Sequence, residues 1–404
     1  MSRVEFPGFI QFAFRVAIEQ ARNSPLIAEV QPAAPWKRLI AFIALSALLM
    51  ATAMVAAILL TLPFESAGLL PSDLFAVAPE GPNRLWDENV SVLALGLMLG
   101  LMGGAILLAA KIVYRAPVAA FLWPGRRLSW RQLGIGFAVM SVVGGVSVLV
   151  YNLIDPIGPP PIFNPAYSIE SRLTYILAAS VGLLVAAAAE EVAFRGVLLR
   201  VTGGLTRSLI LLCLINALIF SAVHLDPDPV AFVARALSGL VWTWAALRLG
   251  GIEFAIGAHW ANNLAIALLG EPLSGAGLPA EAIPVSALAL EFVSLVVVLA
   301  AAERLDRDHD HAARLQPPEQ VGAAGRAELP LGPIRRIIGR QRSLDFNGVA
   351  AVDAERHPAR GPAAPFAMAG VHSALGVAVK RTAPHRQRPF NWVSTSAMPC
   401  VSAQ

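Results

Sequence analysis

Charge is what this sequence has least of. Asp, Glu, Lys and Arg supply 14% of its 404 residues, against 56% hydrophobic, whereas a soluble globular chain carries about 25% charged residues. With a mean hydropathy of +0.63, that scarcity excludes an ordinary water-soluble protein and points to a chain that lies mostly in lipid. Cysteine is nearly missing too. Cys213 and Cys400 are the two present, too few for a disulfide framework or a cysteine metal site, and Cys213 reads as a small core residue. The net charge of +4 sits largely in short loops and a tail, so it speaks to topology, and no nucleic-acid partner is expected. A cleavable signal peptide is not expected either. The first long apolar run, about 39–62, is too long for one and begins far from Met1.

What is present is a succession of apolar runs. About 20 such residues cross a bilayer, and eight runs can be read, at about 39–62, 91–113, 132–153, 173–198, 208–224, 229–249, 251–269 and 281–302. Pro/Gly/Asp clusters such as "DPIGPPPIFNP" and "LDPDP" separate most of them. The expected fold is all-α and polytopic, with about eight transmembrane helices around a hydrated intramembrane cavity. Lys and Arg alternate between successive loops, which predicts a multi-pass protein of the cell membrane with both termini cytoplasmic. Residues 1–38 form the N-terminal segment, where "FIQFAFRVAIEQAR" has the spacing of an interfacial helix. Residues 39–302 form the membrane domain. From Glu303 the composition turns charged and then rich in Arg, Ala and Pro, so 303–404 is expected to be a disordered cytoplasmic tail. Its Asp308, His309, Asp310 and His311 read as a solvated charge run. In the second span Gly96, Gly100 and Gly104 recur every fourth residue, a spacing that lets helices approach closely.

Against this background "AEEVAFR" stands out, closing the apolar run "YILAASVGLLVAAAA". A central Glu or Arg in a span costs about 2.5–3.5 kcal/mol. Glu191 and Arg195 are four apart and share a helix face, so they can pair. Glu190 is rotated about 100° away and has Phe194 at i+4. It therefore needs water or partners from other helices. Two histidines lie in the apolar core: His224 in "FSAVH", one turn after Phe220, and His259 in "HWANN", one turn before Asn263. Singly, each is more often a packing residue. Together, Glu190, His224, His259 and Asn263 make a candidate site on three spans. A carboxylate can act as general base on water, helped by a neutral imidazole. The second histidine and the amide can donate to a developing oxyanion. The same Glu190, His224 and His259 also suit a zinc ion. Arg195 already occupies the second carboxylate and Asn is a poor zinc ligand, so no cofactor is favoured and Zn2+ stays the alternative.

The three stretches "EEVAFR", "FSAVH" and "HWANN" resemble, in order, the EExxxR, FxxxH and HxxxN motifs of the CPBP family. That family comprises type II CAAX prenyl endopeptidases, Abi proteins and bacteriocin-processing enzymes. The resemblance covers about residues 171–270. It implies an intramembrane endopeptidase acting on a hydrophobic or prenylated peptide or protein in the lipid bilayer. It also implies that Glu190 activates water with His224 assisting, that His259 and Asn263 hold the oxyanion, and that Glu191, Arg195 and Phe220 brace the site. No HExxH, GxGD or GxSxG sequence supports another protease class. Two further readings stand beside it. One is a catalytically silent scaffold or bacteriocin-immunity protein of the same fold. The other is a proton-coupled transporter, for which no clear inverted repeat is visible.

Overall fold

The computed structural model describes residues 8–28, 34–68, 70, 84–154, 159–206, 208–225, 228–270 and 285–315. The chain divides into units 1–327 and 328–404, and all described residues lie in the first. They form helices and no strand. In order these are α1 (Gly8–Arg22), α2 (Pro25–Ala28), α3 (Pro35–Ser66), α4 (Arg84–Tyr114), α5 (Val118–Leu122) and α6 (Trp130–Ile154). Then come α7 (Ile169–Glu191), a π-helical turn (Val192–Leu198), α8 (Leu199–Gly203), α9 (Leu209–Ala222), α10 (Pro229–Leu249), α11 (Glu253–Leu269) and α12 (Val285–Leu315).

Over the described residues, each of the eight apolar runs overlaps one of these helices, the fourth continuing from α7 through the π turn. Among the described residues five helices are long and apolar enough to cross a membrane: Pro35–Ser66, Arg84–Tyr114, Trp130–Ile154, Ile169–Gly203 and Pro229–Leu249. The protein is an all-α polytopic membrane protein. α9, with 14 residues, is shorter than a full span, and α11 has 17. α12 runs past the apolar stretch into the charged one and ends at Leu315, so helix replaces the irregular structure expected from Glu303 to that point. The remainder of the expected tail lies outside the described residues. At the other end α1 is helical as its spacing predicts. Its last turn and the short α2 dock on protein as well: Ala21 of α1 and Leu26 and Ile27 of α2 are buried, and Arg248 of α10 donates to the Gln20 side chain.

Where helices meet most closely, glycine is the reason. In α4, Gly96 lies against Gly182 of α7, Gly100 against Val185, and Gly103 against Ala189. Gly104, expected in this stripe, faces open space. At 3.6 residues per turn, positions i, i+4 and i+7 stay on one face, whereas i+8 drifts off it. α6 and α11 cross in the same way: a side chain on Gly136 would meet the Phe254 carbonyl, and one on Gly257 the Leu133 carbonyl. These pairs set a packing order α4–α7–α11–α6–α12–α10–α9, and α9 returns to the π turn. Two ion-pair clusters clamp helix ends. Arg126 grips Glu253 with two bonds of 2.7 Å and donates to Gln132 at 3.0 Å. Arg248 pairs with Glu303 and Asp306 of α12 at 2.9 and 2.6 Å.

Because backbone cannot retreat, Gly257→Val should overpack the α6–α11 crossing and cost about 1–3 kcal/mol. Thermal unfolding in detergent should show a clear drop for this variant and almost none for Gly104→Ala, which has open space around it.

Candidate active site

The site is built on one unusually long helical rod. Ser168 caps α7 by accepting from the Ser171 amide. The rod then continues without a break through the π turn to Gly203. In the π turn the Leu199 amide reaches back to the Phe194 carbonyl, five residues away. Such wide turns recur at functional sites, and the apolar pattern carries no signal for this one. The extra length removes a difficulty of depth. A rod ending near 198 would leave Glu190 close to the turn and His224 far from it. With the rod extended to Gly203, Glu190 stands about 20 Å from the turn and His224 about 24 Å, at 1.5 Å per residue on each side.

The two adjacent carboxylates have different surroundings. Glu191 is fully buried, and its Oε1 accepts from Arg195 Nη1 at 2.9 Å and binds His259 Nδ1 at 2.8 Å. Arg195, equally buried, also donates to the Gly239 carbonyl at 3.2 Å. Its guanidinium lies 4.3 Å from the Phe220 ring centre and 5.4 Å from that of Trp242. Glu190 keeps 17% of its side chain accessible and His224 keeps 30%. Glu190 Oε2 itself is buried and has no hydrogen-bond partner among the described residues, yet His259 Nε2 and His224 Nε2 stand 3.8 and 3.9 Å from it. Those separations are too long for direct hydrogen bonds, and a water bonded to both atoms would have to lie beside them. His224 Nδ1 lies 2.8 Å from the Phe220 carbonyl. An N–H on Nδ1 would donate to that carbonyl and leave the Nε2 lone pair facing Glu190.

The structure thus brings together Glu190, Glu191, Arg195, Phe220, His224 and His259. Asn263 is half-buried one turn beyond His259 and accepts from Asn262 at 3.3 Å. Among the described residues it makes no hydrogen bond with Glu190, His224 or His259. Helical spacing pairs Glu191 with Arg195 but is silent about its bond to His259, which crosses 68 residues. Also missed were Trp242, whose ring stacks on His259, and Glu291 of α12, which accepts from Ser238 beside Gly239. A stripe at Gly239 and Trp242, three apart on α10, was the available hint.

Zinc is the ion that the donor set invites. Among the described residues, however, no three His, Cys, Asp or Glu side chains are grouped so as to hold a metal. Each histidine gives Nδ1 to a protein acceptor and leaves Nε2 facing Glu190, an orientation that serves a water or an ion alike.

Residues 172–265 match the family model described as Rce1-like, type II CAAX prenyl endopeptidase, and this stretch contains all seven residues predicted from the motifs. The uncharacterized protein YyaK of Bacillus subtilis (strain 168) is 29% identical over 164 residues, which are 39% of this chain and 54% of YyaK. The chain thus spans about half the length of this curated relative. No solved structure matches. The membrane core is similar to the CAAX-processing membrane proteins that the motifs resemble.

Removing one partner of a buried ion pair costs about 3–5 kcal/mol, because the other charge is left uncompensated. Arg195→Ala should therefore lower stability by about that amount in thermal or denaturant unfolding.

Proposed function

We propose that the protein is an intramembrane endopeptidase that hydrolyses a peptide bond near a membrane-bound or prenylated C-terminus. The observation that carries this reading is the approach of two histidine Nε2 atoms, at 3.8 and 3.9 Å, to one unpartnered oxygen of Glu190. A water between these groups would give its proton to Glu190 as its oxygen bonds to the scissile carbonyl carbon. The carbonyl oxygen gains the negative charge and takes hydrogen bonds from Asn263 and from His259, the latter as the imidazolium, since its Nδ1–H is already given to Glu191. When the C–N bond breaks, the proton held by Glu190 passes to the leaving amine, with His224 Nε2 within reach to assist. Glu191 and Arg195 hold the frame and do not react. In this reading Glu190 and His224 are the partly accessible members of the site, and no resident metal is required.

Detergent-purified protein incubated with a prenylated peptide and with a library of hydrophobic peptides, read by mass spectrometry, should show cleavage at a defined bond. Glu190→Gln should reduce the rate by at least about a hundredfold with an unchanged unfolding temperature, and a chelator should leave wild-type cleavage intact. Undiminished cleavage by Glu190→Gln would overturn the assignment of the base. Absence of any cleavage would favour a silent scaffold of the same fold.

A further inference from the structure

A single hydrogen bond fixes one point on an imidazole and leaves its plane undetermined. The bond from His259 Nδ1 to Glu191 at 2.8 Å is of this kind. Rotation about it would swing Nε2 away from Glu190. The ring of Trp242 limits that rotation. It lies on the His259 ring with centroids 4.5 Å apart and planes 30° apart.

Trp242 is itself held on several sides. It is buried, with 2% of its surface accessible. The Phe220 ring meets it at 5.9 Å and 70°, and the Arg195 guanidinium lies 5.4 Å from its centre. Three residues earlier on α10, Gly239 has no side chain, and Ala217 and Phe220 of α9 occupy the space a Cβ would need, at 3.1 and 3.2 Å. The Gly239 carbonyl accepts from Arg195. The contacts Arg195–Glu191, Glu191–His259, His259–Trp242 and Trp242–Arg195 therefore close into a ring that joins the π turn, α7, α11 and α10.

We infer that Trp242 is a positioning residue that sets the plane of His259 and so aims its Nε2 at Glu190 and at the oxyanion. The inference rests on the reading of Glu190 and His259 as reacting groups, and it concerns a residue outside all three motifs. Since Trp242 is buried beneath His259, it acts through that ring and not by touching substrate. A planar aromatic replacement can keep the stack, whereas an aliphatic one fills volume without defining a plane. Displacing a catalytic group by about 1 Å can cost about a hundredfold in rate.

The test compares the full-length wild type with Trp242→Phe and Trp242→Leu in detergent. One arm measures kcat and KM on the cleaved peptide. The other records NMR spectra of protein with 13C-labelled histidine, the His259 ring signal being identified by its loss in His259→Gln. Trp242→Phe should keep kcat within about threefold, whereas Trp242→Leu should lose about a hundredfold in kcat with little change in KM. The His259 ring signal, single and sharp in the wild type, should broaden or split in Trp242→Leu as the ring samples several planes, while that of His224 stays sharp; loss of the indole ring current alone would move the His259 signal without broadening it. A residue with a merely structural role would lower the unfolding temperature, leave the kcat-to-KM split unchanged and leave the His259 signal single and sharp. Wild-type kcat in Trp242→Leu, or a His259 signal that stays single and sharp, would overturn the inference. If the wild type cleaves no peptide, the protease reading fails by itself, and the NMR arm still decides whether Trp242 orients His259.

Discussion

The Glu191 carboxylate is the constraint around which the site is arranged. A charge buried without compensation costs several kcal/mol even after relaxation, and Glu191 has no access to solvent. It is compensated by Arg195 from the π turn and by His259 from α11. Arg195 then needs acceptors of its own, and takes the Gly239 carbonyl of α10 and the faces of Phe220 and Trp242. One buried charge thereby recruits four elements. A guanidinium can serve so many partners because its donors are spread in a planar fork while its face remains free for aromatic rings.

The neighbouring carboxylate is left for other work. Consecutive residues on a helix differ by about 100° in direction, so Glu190 cannot enter the same pocket as Glu191. It points instead to an edge that His224 shares, where both keep some accessibility. In the proposed reading the buried pair supplies rigidity and the more accessible carboxylate supplies reactivity. The sequence "AEEVAFR" holds both because adjacency along the chain becomes separation around the helix.

Much of this was legible from spacing. The interval from Glu191 to Arg195 gives the ion pair, the apolar runs give the helices, and the core positions of His224 and His259 mark them as partners for Glu190. Local spacing says little about contacts between distant helices, and that is where the reading stopped. The bond from Glu191 to His259 and the stack of Trp242 on His259 depend on how helices pack, not on period. The π turn was missed because one extra residue in a helical turn leaves no trace in an apolar run. Gly104 was placed in the close-packing stripe by a strict four-residue count. Gly103 takes that position because a helix turns every 3.6 residues.

A site drawn from separate helices also depends on their relative translation along the bundle. Apolar side chains facing apolar lipid offer little to resist sliding, since lipid tails are as apolar as leucine. Backbone-to-backbone contacts resist it better. Gly182 and Gly103 hold α7 against α4, with Gly103 touching Ala189, next to Glu190. Gly136 and Gly257 hold α11 against α6, with Gly257 two residues before His259. Directional bonds at the helix ends add to this: Arg126 clamps the start of α11 through Glu253, and Arg248 ties the end of α10 to α12. Gly251 fits beside that first clamp because any side chain there would collide with the Arg126 guanidinium. The glycines therefore set the depth of Glu190 and His259, and the charged clamps hold that register. The approach of Glu190 to the two imidazoles is the product of contacts that themselves carry no chemistry.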